Sequence, residues 1–169
     1  NNCASGATVI VPEPGSAITG SISTTDIACN GQNTGSATMN VSGSFSQPYY
    51  SWSNGGNTAT IQNLSAGTYF CDVTQSVGSS CITQFSATIN SPAPISFQIQ
   101  AINPSINGAN DGSATCNPLP AGGTPPYSYQ WTGSFPPGYT GSTTTPTITS
   151  LSPGIYNCTV TDANGCTLT

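Results

Sequence analysis

The sequence predicts an all-β protein: two tandem antiparallel β-sandwich domains, plus an N-terminal β-strand that completes a neighbouring domain. Three observations lead to this prediction. The chain repeats itself, its apolar residues alternate with polar ones over short segments, and Asn-Gly, Gly-Gly and Pro-Gly turns separate these segments. No segment has the period of an amphipathic helix, which would place apolar residues three and four positions apart.

The internal repeat becomes visible when the chain is aligned with itself. The segment "ITGSISTTDIACNGQNTGSAT" (18–38) matches "ISFQIQAINPSINGANDGSAT" (95–115) without a gap, and "IQNLSAGTYFCDVT" (61–74) matches "ITSLSPGIYNCTVT" (148–161). The segment Ser91-Pro92-Ala93-Pro94 joins the two copies. We therefore expect one domain over residues 17–94, called repeat 1, and a second over 95–169, called repeat 2.

Alternation along the segments predicts which residues face the two cores, because successive side chains of a strand point to opposite faces. In repeat 1 these residues are Ala37, Met39, Val41, Tyr50, Trp52, Tyr69, Cys71 and Val73. In repeat 2 they are Cys116, Tyr127, Tyr129, Trp131, Tyr156, Cys158 and Val160. The aromatic residues among them are expected to serve packing rather than ligand binding.

The composition excludes several classes of function. The chain has no Lys, Arg or His, and its five acidic side chains give a net charge of -5. A protein without cations cannot neutralise phosphates, so we expect no nucleic-acid partner. No apolar run approaches the length that spans a bilayer, so we expect no membrane insertion.

The same composition argues against an enzyme and against a bound cofactor. General acid-base and nucleophilic catalysis usually recruit His, Lys or paired carboxylates, and none of the four Asp residues recurs in the other copy. Asp111 and Asp162 could contribute oxygen ligands to calcium, but Asx turns are the simpler interpretation of both. We therefore predict no catalytic, cofactor-binding or metal-binding residues.

Seven cysteines in 169 residues indicate an oxidising compartment, and we expect an extracellular or cell-surface protein that was processed or belongs to a longer polypeptide. In immunoglobulin-like sandwiches a Cys on an early strand bridges to a Cys on a late strand beside a Trp, with a Tyr two residues before the second Cys. Cys116, Trp131, Tyr156 and Cys158 follow that order. We predict a Cys116–Cys158 bridge, a second bridge between Cys29 and Cys81, and a buried free thiol at Cys71, because Met39 occupies its partner's position.

The motifs C-N-G-x-x-x-G-S-A, P-Y-x-x-W, N-L-x-A-G-x-Y-x-x-x-V-T and D-A-N-G-C resemble the SprB-type repeat of very large adhesins on gliding bacteria. The resemblance covers nearly the whole chain. It implies surface-exposed, tandemly repeated β-sandwich modules of the immunoglobulin-like type that serve adhesion or motility. The chain departs from the pattern at Met39, at Ile106 in the position of Cys29, and in "QSVGSSC" (75–81).

Residues 1–16 belong to neither copy and resemble the end of a repeat, since "ATVIVPEP" (7–14) matches "ATINSPAP" (87–94). We predict that Ala7, Thr8, Val9, Ile10 and Val11 form a strand that completes a sandwich lacking its last strand. The partner would be another copy of the chain, assembled head to tail into a filament, or an adjacent repeat of a longer chain. An intermolecular disulfide between Cys3 and Cys166 could lock this contact.

The leading functional interpretation is a structural, non-catalytic subunit or tandem segment of an extracellular filament or adhesin stalk. The alternative is a carbohydrate-binding adhesin module that recognises surface glycans. Its expected contacts are Phe135 and Tyr139, in a loop (132–147) that is longer than its counterpart in repeat 1. Asn40, Asn63 and Asn157 lie in sequons and are possible glycosylation sites.

Overall fold

The computed structural model describes residues 18–43, 47–76, 81–133, 140–143 and 145–169. All regular secondary structure in these ranges is β-strand, and every strand pairs antiparallel with its neighbours, which confirms the all-β prediction. The predicted strand at residues 7–11 lies outside the described residues.

Repeat 1 contains six strands in two sheets. The strands are β1 (Thr19–Thr25), β2 (Gly35–Ser42), β3 (Tyr49–Trp52), β4 (Thr60–Leu64), β5 (Gly67–Thr74) and β6 (Thr83–Ile89). One sheet has the order β1-β2-β4 and the other the order β3-β5-β6. This order corresponds to the A-B-E and C-F-G strands of an immunoglobulin-like sandwich.

Repeat 2 reproduces this arrangement and differs at two strands. Its strands are β7 (Ile99–Ile102), β8 (Gly112–Cys116), β9 (Ser128–Gly133), β10 (Thr140–Thr143), β11 (Thr147–Leu151), β12 (Tyr156–Thr161) and β13 (Thr167–Leu168). The sheets are β7-β8-β11 and β10-β9-β12-β13. The segment 132–147, predicted as a loop, therefore contains β10, which pairs with β9. The counterpart of β6 is β13, which has only two residues.

Each repeat has its own apolar core between its two sheets. In repeat 1 the core is formed by Ile18, Ile27, Ala37, Met39, Trp52, Ile61, Leu64, Cys71, Val73 and Ile89. In repeat 2 it is formed by Ala114, Cys116, Tyr129, Trp131, Ile148, Leu151, Cys158 and Val160. The residues that alternation predicted to face inward are buried or pack against these cores, so the period-2 pattern identified the inner faces correctly.

Two inward residues of β4, Ile61 and Leu64, are three positions apart, which simple alternation does not allow. The pairing of β4 with β2 shifts register at this point, and Asn63 adopts a left-handed backbone conformation with φ 56°. Ser150 does the same in β11 with φ 59°. A bulge at the same place in both repeats returns the next leucine to the core.

The Tyr-x-Cys motif has the same role in both repeats. The Tyr69 hydroxyl donates a hydrogen bond to the carbonyl of Ser65 over 3.1 Å, and the Tyr156 hydroxyl donates to the carbonyl of Ser152 over 2.9 Å. Each tyrosine thus ties its strand to the turn before it, as the tyrosine corner does in immunoglobulin-like domains. The cysteine two positions later points in the same direction and enters the core.

We expect Tyr69→Phe and Tyr156→Phe each to lower the free energy of unfolding by about 1 kcal/mol, because each removes the hydrogen bond from the hydroxyl to the turn and little packing. Urea unfolding followed by tryptophan fluorescence measures the effect, since each repeat has one tryptophan. Tyr49→Phe is the matched control, because Tyr49 is 45% exposed. A loss at Tyr49 as large as at the other two positions would contradict the tyrosine-corner assignment.

Candidate functional site: an open strand groove and the joint between repeats

The last strand of repeat 1 completes the core of that repeat. β6 pairs with β5 along its whole length and also contacts β1 and β2. Its final residue, Ile89, is 1% exposed and fills the space above Gly35, where an added Cβ would lie only 2.7 Å from the Ile89 Cγ2. Gly35 is therefore required for the close approach of the closing strand.

Repeat 2 has an open groove at the position that β6 occupies in repeat 1. β13 pairs only with Val160 and Thr161, so the outer edge of β12 from Asn157 to Thr159 has no strand beside it among the described residues. A cavity of about 490 Å³ lies next to the start of β12, between Tyr156 and β7. Its lining includes Ile99, Ile102, Ile106, Gly112, Leu151 and Tyr156.

The exposure of equivalent residues shows the effect of the closing strand. Ile22 in β1 is partly buried against the core of repeat 1, whereas its equivalent in β7, Ile99, is 42% exposed. Ile102 and Ile106 on the same side of the groove are 68% and 72% exposed, and Ile155 beside its other wall is 70% exposed. The groove thus combines an open strand edge with apolar side chains, a combination that favours binding of another strand.

The two repeats are joined by a disulfide between Cys29 and Cys166, with their Cα atoms 5.5 Å apart. This bond replaces both predicted pairs that involve these residues, Cys29–Cys81 within repeat 1 and Cys3–Cys166 between copies. Cys3 itself lies outside the described residues.

The Cys29–Cys81 prediction was wrong because it ignored which end of the sandwich each cysteine occupies. Cys29 lies beside the end of β6, where the Ile27 amide donates to the carbonyl of Asn90 over 3.1 Å. Cys81 precedes the start of β6, and a seven-residue strand separates the two ends by roughly 20 Å. The loop of repeat 2 that holds Cys166 instead meets the Cys29 loop directly.

Asp162 organises the repeat 2 side of this joint. Its side chain is 5% exposed and accepts hydrogen bonds from the backbone amides of Thr124 (2.8 Å), Asn164 (2.9 Å) and Cys166 (2.9 Å). Burial acts to raise the pKa of Asp162, but these backbone hydrogen bonds outweigh it and hold the pKa below the ordinary value. The carboxylate therefore fixes the turn that presents Cys166 to Cys29.

Two asparagines add polar contacts across the joint. The Asn164 side-chain amide donates to the carbonyl of Ala28 over 3.2 Å, which links repeat 2 to repeat 1. The Asn30 amide donates to the carbonyl of Pro92 over 3.0 Å, which fixes the linker against repeat 1. Together with the disulfide, these bonds restrict the movement of one repeat relative to the other.

The remaining described cysteines that the core analysis singled out are buried. Cys116 and Cys158 meet beside Trp131 as predicted, but their sulphurs are 3.6 Å apart and no bond joins them in the structure. Cys71 is a buried free thiol, as predicted. Burial, together with the nearby Asp72 carboxylate, raises the pKa of Cys71 to about 11. Burial, together with the contact with Cys116, raises the pKa of Cys158 to about 12. Such thiols remain protonated at neutral pH and are poor nucleophiles.

The other carboxylates also serve local structure. Asp111 accepts a hydrogen bond from the Ser105 amide over 2.9 Å, and Asp26 accepts one from the Asn90 amide over 2.7 Å. Hydrogen bonding with the side chain and then the amide of Ser105 lowers the pKa of Asp111, and hydrogen bonding with the amide and then the side chain of Asn90 lowers the pKa of Asp26. Asp111 and Asp162 thus act as turn acceptors, the simpler of the two interpretations of their sequence context. Within the described ranges no three acidic or cysteine side chains converge as a metal site would require.

The predicted surface sites have mixed outcomes. Asn40, Asn63 and Asn157 are all exposed, so each is accessible, and their glycosylation stays a prediction. Phe135 and Tyr139, the predicted glycan contacts, lie outside the described residues. The part of the chain that the structure describes contains no helix of the length and apolarity needed to cross a membrane.

Peptide mapping tests the disulfide at the joint. Chymotrypsin digestion without reduction should release a linked pair of peptides that contain Cys29 and Cys166, whereas trypsin has no site in the chain. The same digest, alkylated in the presence of denaturant, should label Cys71, Cys116 and Cys158. Recovery of a peptide pair linking Cys29 to Cys81 would contradict the joint described above.

Replacing Asp162 tests the turn. We expect Asp162→Asn to lower the free energy of unfolding of repeat 2 by about 2 kcal/mol, because buried backbone amides lose a charged acceptor. Asp72→Asn is the control, since Asp72 accepts only the Gln84 side-chain amide among the hydrogen bonds described for it. Chemical unfolding of both variants at neutral pH measures the difference.

The same variant has a defined pH dependence. Because the pKa of Asp162 is lower in the folded than in the unfolded state, its contribution is complete above the unfolded value of about 3.8 and is lost as the pH falls through the folded value. The difference in stability between the wild type and Asp162→Asn should therefore be constant from about pH 5 to 7 and should shrink on acidification. A difference that grows on acidification would contradict the assignment.

Comparison with known protein families gives a direct match. The family model of the SprB repeat matches residues 21–57, which run from within β1 to the turn after β3, and residues 103–134, which begin directly after β7 and include β8 and β9. A search of curated proteins finds no match to the chain. Each of the two sandwiches thus contains one segment that matches the SprB repeat, in agreement with the resemblance seen in the sequence.

Proposed function

We propose that the chain is a structural, non-catalytic segment of an extracellular cell-surface adhesin or filament, and that its copies join head to tail by strand complementation. The observation that carries this proposal is the groove of repeat 2, which is open where β6 closes repeat 1. The segment 7–11 is short, apolar and rich in β-branched residues, so its composition suits this groove.

The surface location is supported by chemistry and by family. The SprB repeat is a structural repeat of cell-surface adhesins rather than an enzyme family. A disulfide between two repeats is stable in an oxidising environment and rare in the reducing cytosol. Among the described residues, Cys71 and Cys158 are buried thiols with raised pKa values, and Asp26, Asp111 and Asp162 accept hydrogen bonds from backbone amides, so these groups are not activated as nucleophiles or bases.

Strand complementation is supported by the energetics of the groove. A docked strand would satisfy the open backbone groups of the β12 edge and would bury the apolar side chains of Ile99 and Ile102. The strand enters at the far end of repeat 2, whereas the donor segment lies before repeat 1. Such a contact does not close on itself, so it propagates into a filament.

The same docking applies if the sequence is part of a longer tandem chain. The donor strand then comes from an adjacent repeat of the same polypeptide. The strand in the groove is again short, apolar and β-branched. The intact mass of native material separates the two cases: a value near 17.0 kDa plus any glycan indicates a discrete subunit, and hundreds of kilodaltons indicate a long chain.

The carbohydrate-binding alternative has less support from the described residues. Trp52, Tyr129 and Trp131 are each no more than 5% exposed, so their rings are not available to stack on a sugar. The inward-facing aromatic residues of β3 and β9 therefore contribute to the cores, as alternation predicted.

Deletion of residues 1–14 tests the assembly. The wild-type chain should form filaments visible by negative-stain electron microscopy, and the deletion variant should remain monomeric by light scattering because the donor strand is gone. A variant lacking only Asn1 and Asn2 is the control and should assemble normally. Filaments that persist without residues 1–14 would refute strand donation.

A further inference from the structure

From the outer face of the β3-β5-β6 sheet we infer a binding site for neutral carbohydrate in repeat 1, with the Phe70 ring as its platform and Asp72 and Gln84 as its polar contacts. This inference goes beyond the proposed structural function and does not depend on strand complementation. The site is separate from Phe135 and Tyr139, the glycan contacts that the sequence predicted. It gives a structural segment a means of attachment along its side.

The polar part of the site is formed by residues that pair across three strands. Ser51 of β3 lies opposite Asp72 of β5, which in turn lies opposite Gln84 of β6. Their neighbours in sequence, Trp52 and Cys71, are buried in the core. Because side chains alternate along a strand, Ser51, Asp72 and Gln84 face away from the core. The three polar side chains therefore form a row across the outside of the sheet.

Phe70 lies next to this row on the same face. It belongs to the middle strand of the sheet, yet it is 43% exposed. Its cross-strand neighbours are serines: Ser86 lies opposite on β6, and Ser53 exchanges two hydrogen bonds with the Phe70 backbone. These small side chains leave the ring uncovered, beside a depression of about 420 Å³ that Asp72 and Gln84 also line. An uncovered ring can pack against the C–H groups of a sugar, because the face of an aromatic ring is its negative side.

The polar groups around the ring both donate and accept hydrogen bonds. The Gln84 side-chain amide donates to one Asp72 carboxylate oxygen over 2.8 Å. Among the described hydrogen bonds, the second Asp72 oxygen and the Gln84 carbonyl oxygen remain open as acceptors. The Ser53 hydroxyl oxygen accepts the Phe70 amide over 3.2 Å, so its proton can be donated to a ligand. A sugar hydroxyl donates and accepts, and it fits this mixture better than an ammonium group, which only donates.

The charge of the chain restricts the class of sugar. The chain has no Lys, Arg or His and a net charge of -5. A carboxylate or sulfate group on a sugar would lie beside Asp72 without a cation to balance it, and like charges repel. The site therefore selects neutral sugars.

A second exposed aromatic residue lies on the same face. Tyr49 is 45% exposed, and it faces outward because Tyr50 packs against the core. Among the exposed large apolar residues of the described ranges, Tyr49 and Phe70 are the aromatic ones. Four residues along a strand and one strand spacing separate them, which is roughly 14 Å. This distance suits an extended oligosaccharide rather than a single sugar.

Repeat 2 shows that the sandwich does not require these side chains. The pairing of β12 with β9 places Asn157 at the position of Phe70 and Thr159 at the position of Asp72. The outer face of β9 and β12 thus has the same backbone arrangement without the ring or the carboxylate. The site is therefore a property of repeat 1.

Surface plasmon resonance with the full chain tests the site, on chips that carry a neutral glucan, mannan, xylan or galactan. We expect binding to at least one of them and none to polygalacturonate, an acidic polysaccharide. Phe70→Leu should weaken binding by at least about fivefold, because it keeps an apolar side chain but loses the ring. Phe70→Tyr keeps the ring and should bind like the wild type. Asp72→Asn keeps the ring but loses an acceptor, and it should also weaken binding.

Leu119→Ala is the matched control, because Leu119 is an exposed apolar residue of repeat 2. Tryptophan fluorescence shows whether each variant is folded, and Asp72→Asn decides the test if Phe70→Leu is not. The inference would be overturned if no neutral polysaccharide bound, if neither substitution weakened binding, or if Leu119→Ala weakened it equally. Binding to polylysine alone, lost in Asp72→Asn, would show a cationic partner instead and would overturn it as well. Filament formation is a separate readout, so the proposed function is tested independently.

Discussion

Contact between the closing strand and a glycine couples the two sheets of repeat 1. Ile89 reaches the core only because Gly35 has no side chain, and through β6 the sheet β3-β5-β6 contacts β1 and β2 of the opposite sheet. Repeat 2 has the equivalent glycine, leucine and tyrosine at Gly112, Leu151 and Tyr156. However, β13, the counterpart of β6, has only two residues. The architecture of the groove, the exposure of Ile99 and Ile102, and the proposed contact between copies all depend on this one interaction.

The sequence was sufficient for the strands and their inner faces because both follow from local patterns. Alternation located the core residues, and the Tyr-x-Cys motif located the same corner in each repeat. The extra residue in β4 and β11 interrupted the alternation, and only the left-handed conformation of Asn63 and Ser150 shows how Leu64 and Leu151 return to the core.

The disulfide at the joint could not be predicted in the same way. Matching Cys29 with Cys81 compared residues within one repeat, whereas the bond forms between consecutive repeats, and sequence order does not show which loops lie at which end of a sandwich. The D-A-N-G motif at residues 162–165 indicated a turn, but not the burial of Asp162. Its burial and its three backbone donors become apparent only when the linker and Thr124 are placed beside it.

The Cys29–Cys166 bond also has a mechanical consequence. If the chain is pulled from its two ends, tension passes from residue 29 directly to residue 166, and the residues between them carry no load. The bond spans a sequence separation of 137, which would extend by roughly 480 Å if those residues unravelled at about 3.5 Å each. In the oxidised form this extension is blocked, and only the residues outside the loop, 1–28 and 167–169, can lengthen under tension applied at the two ends.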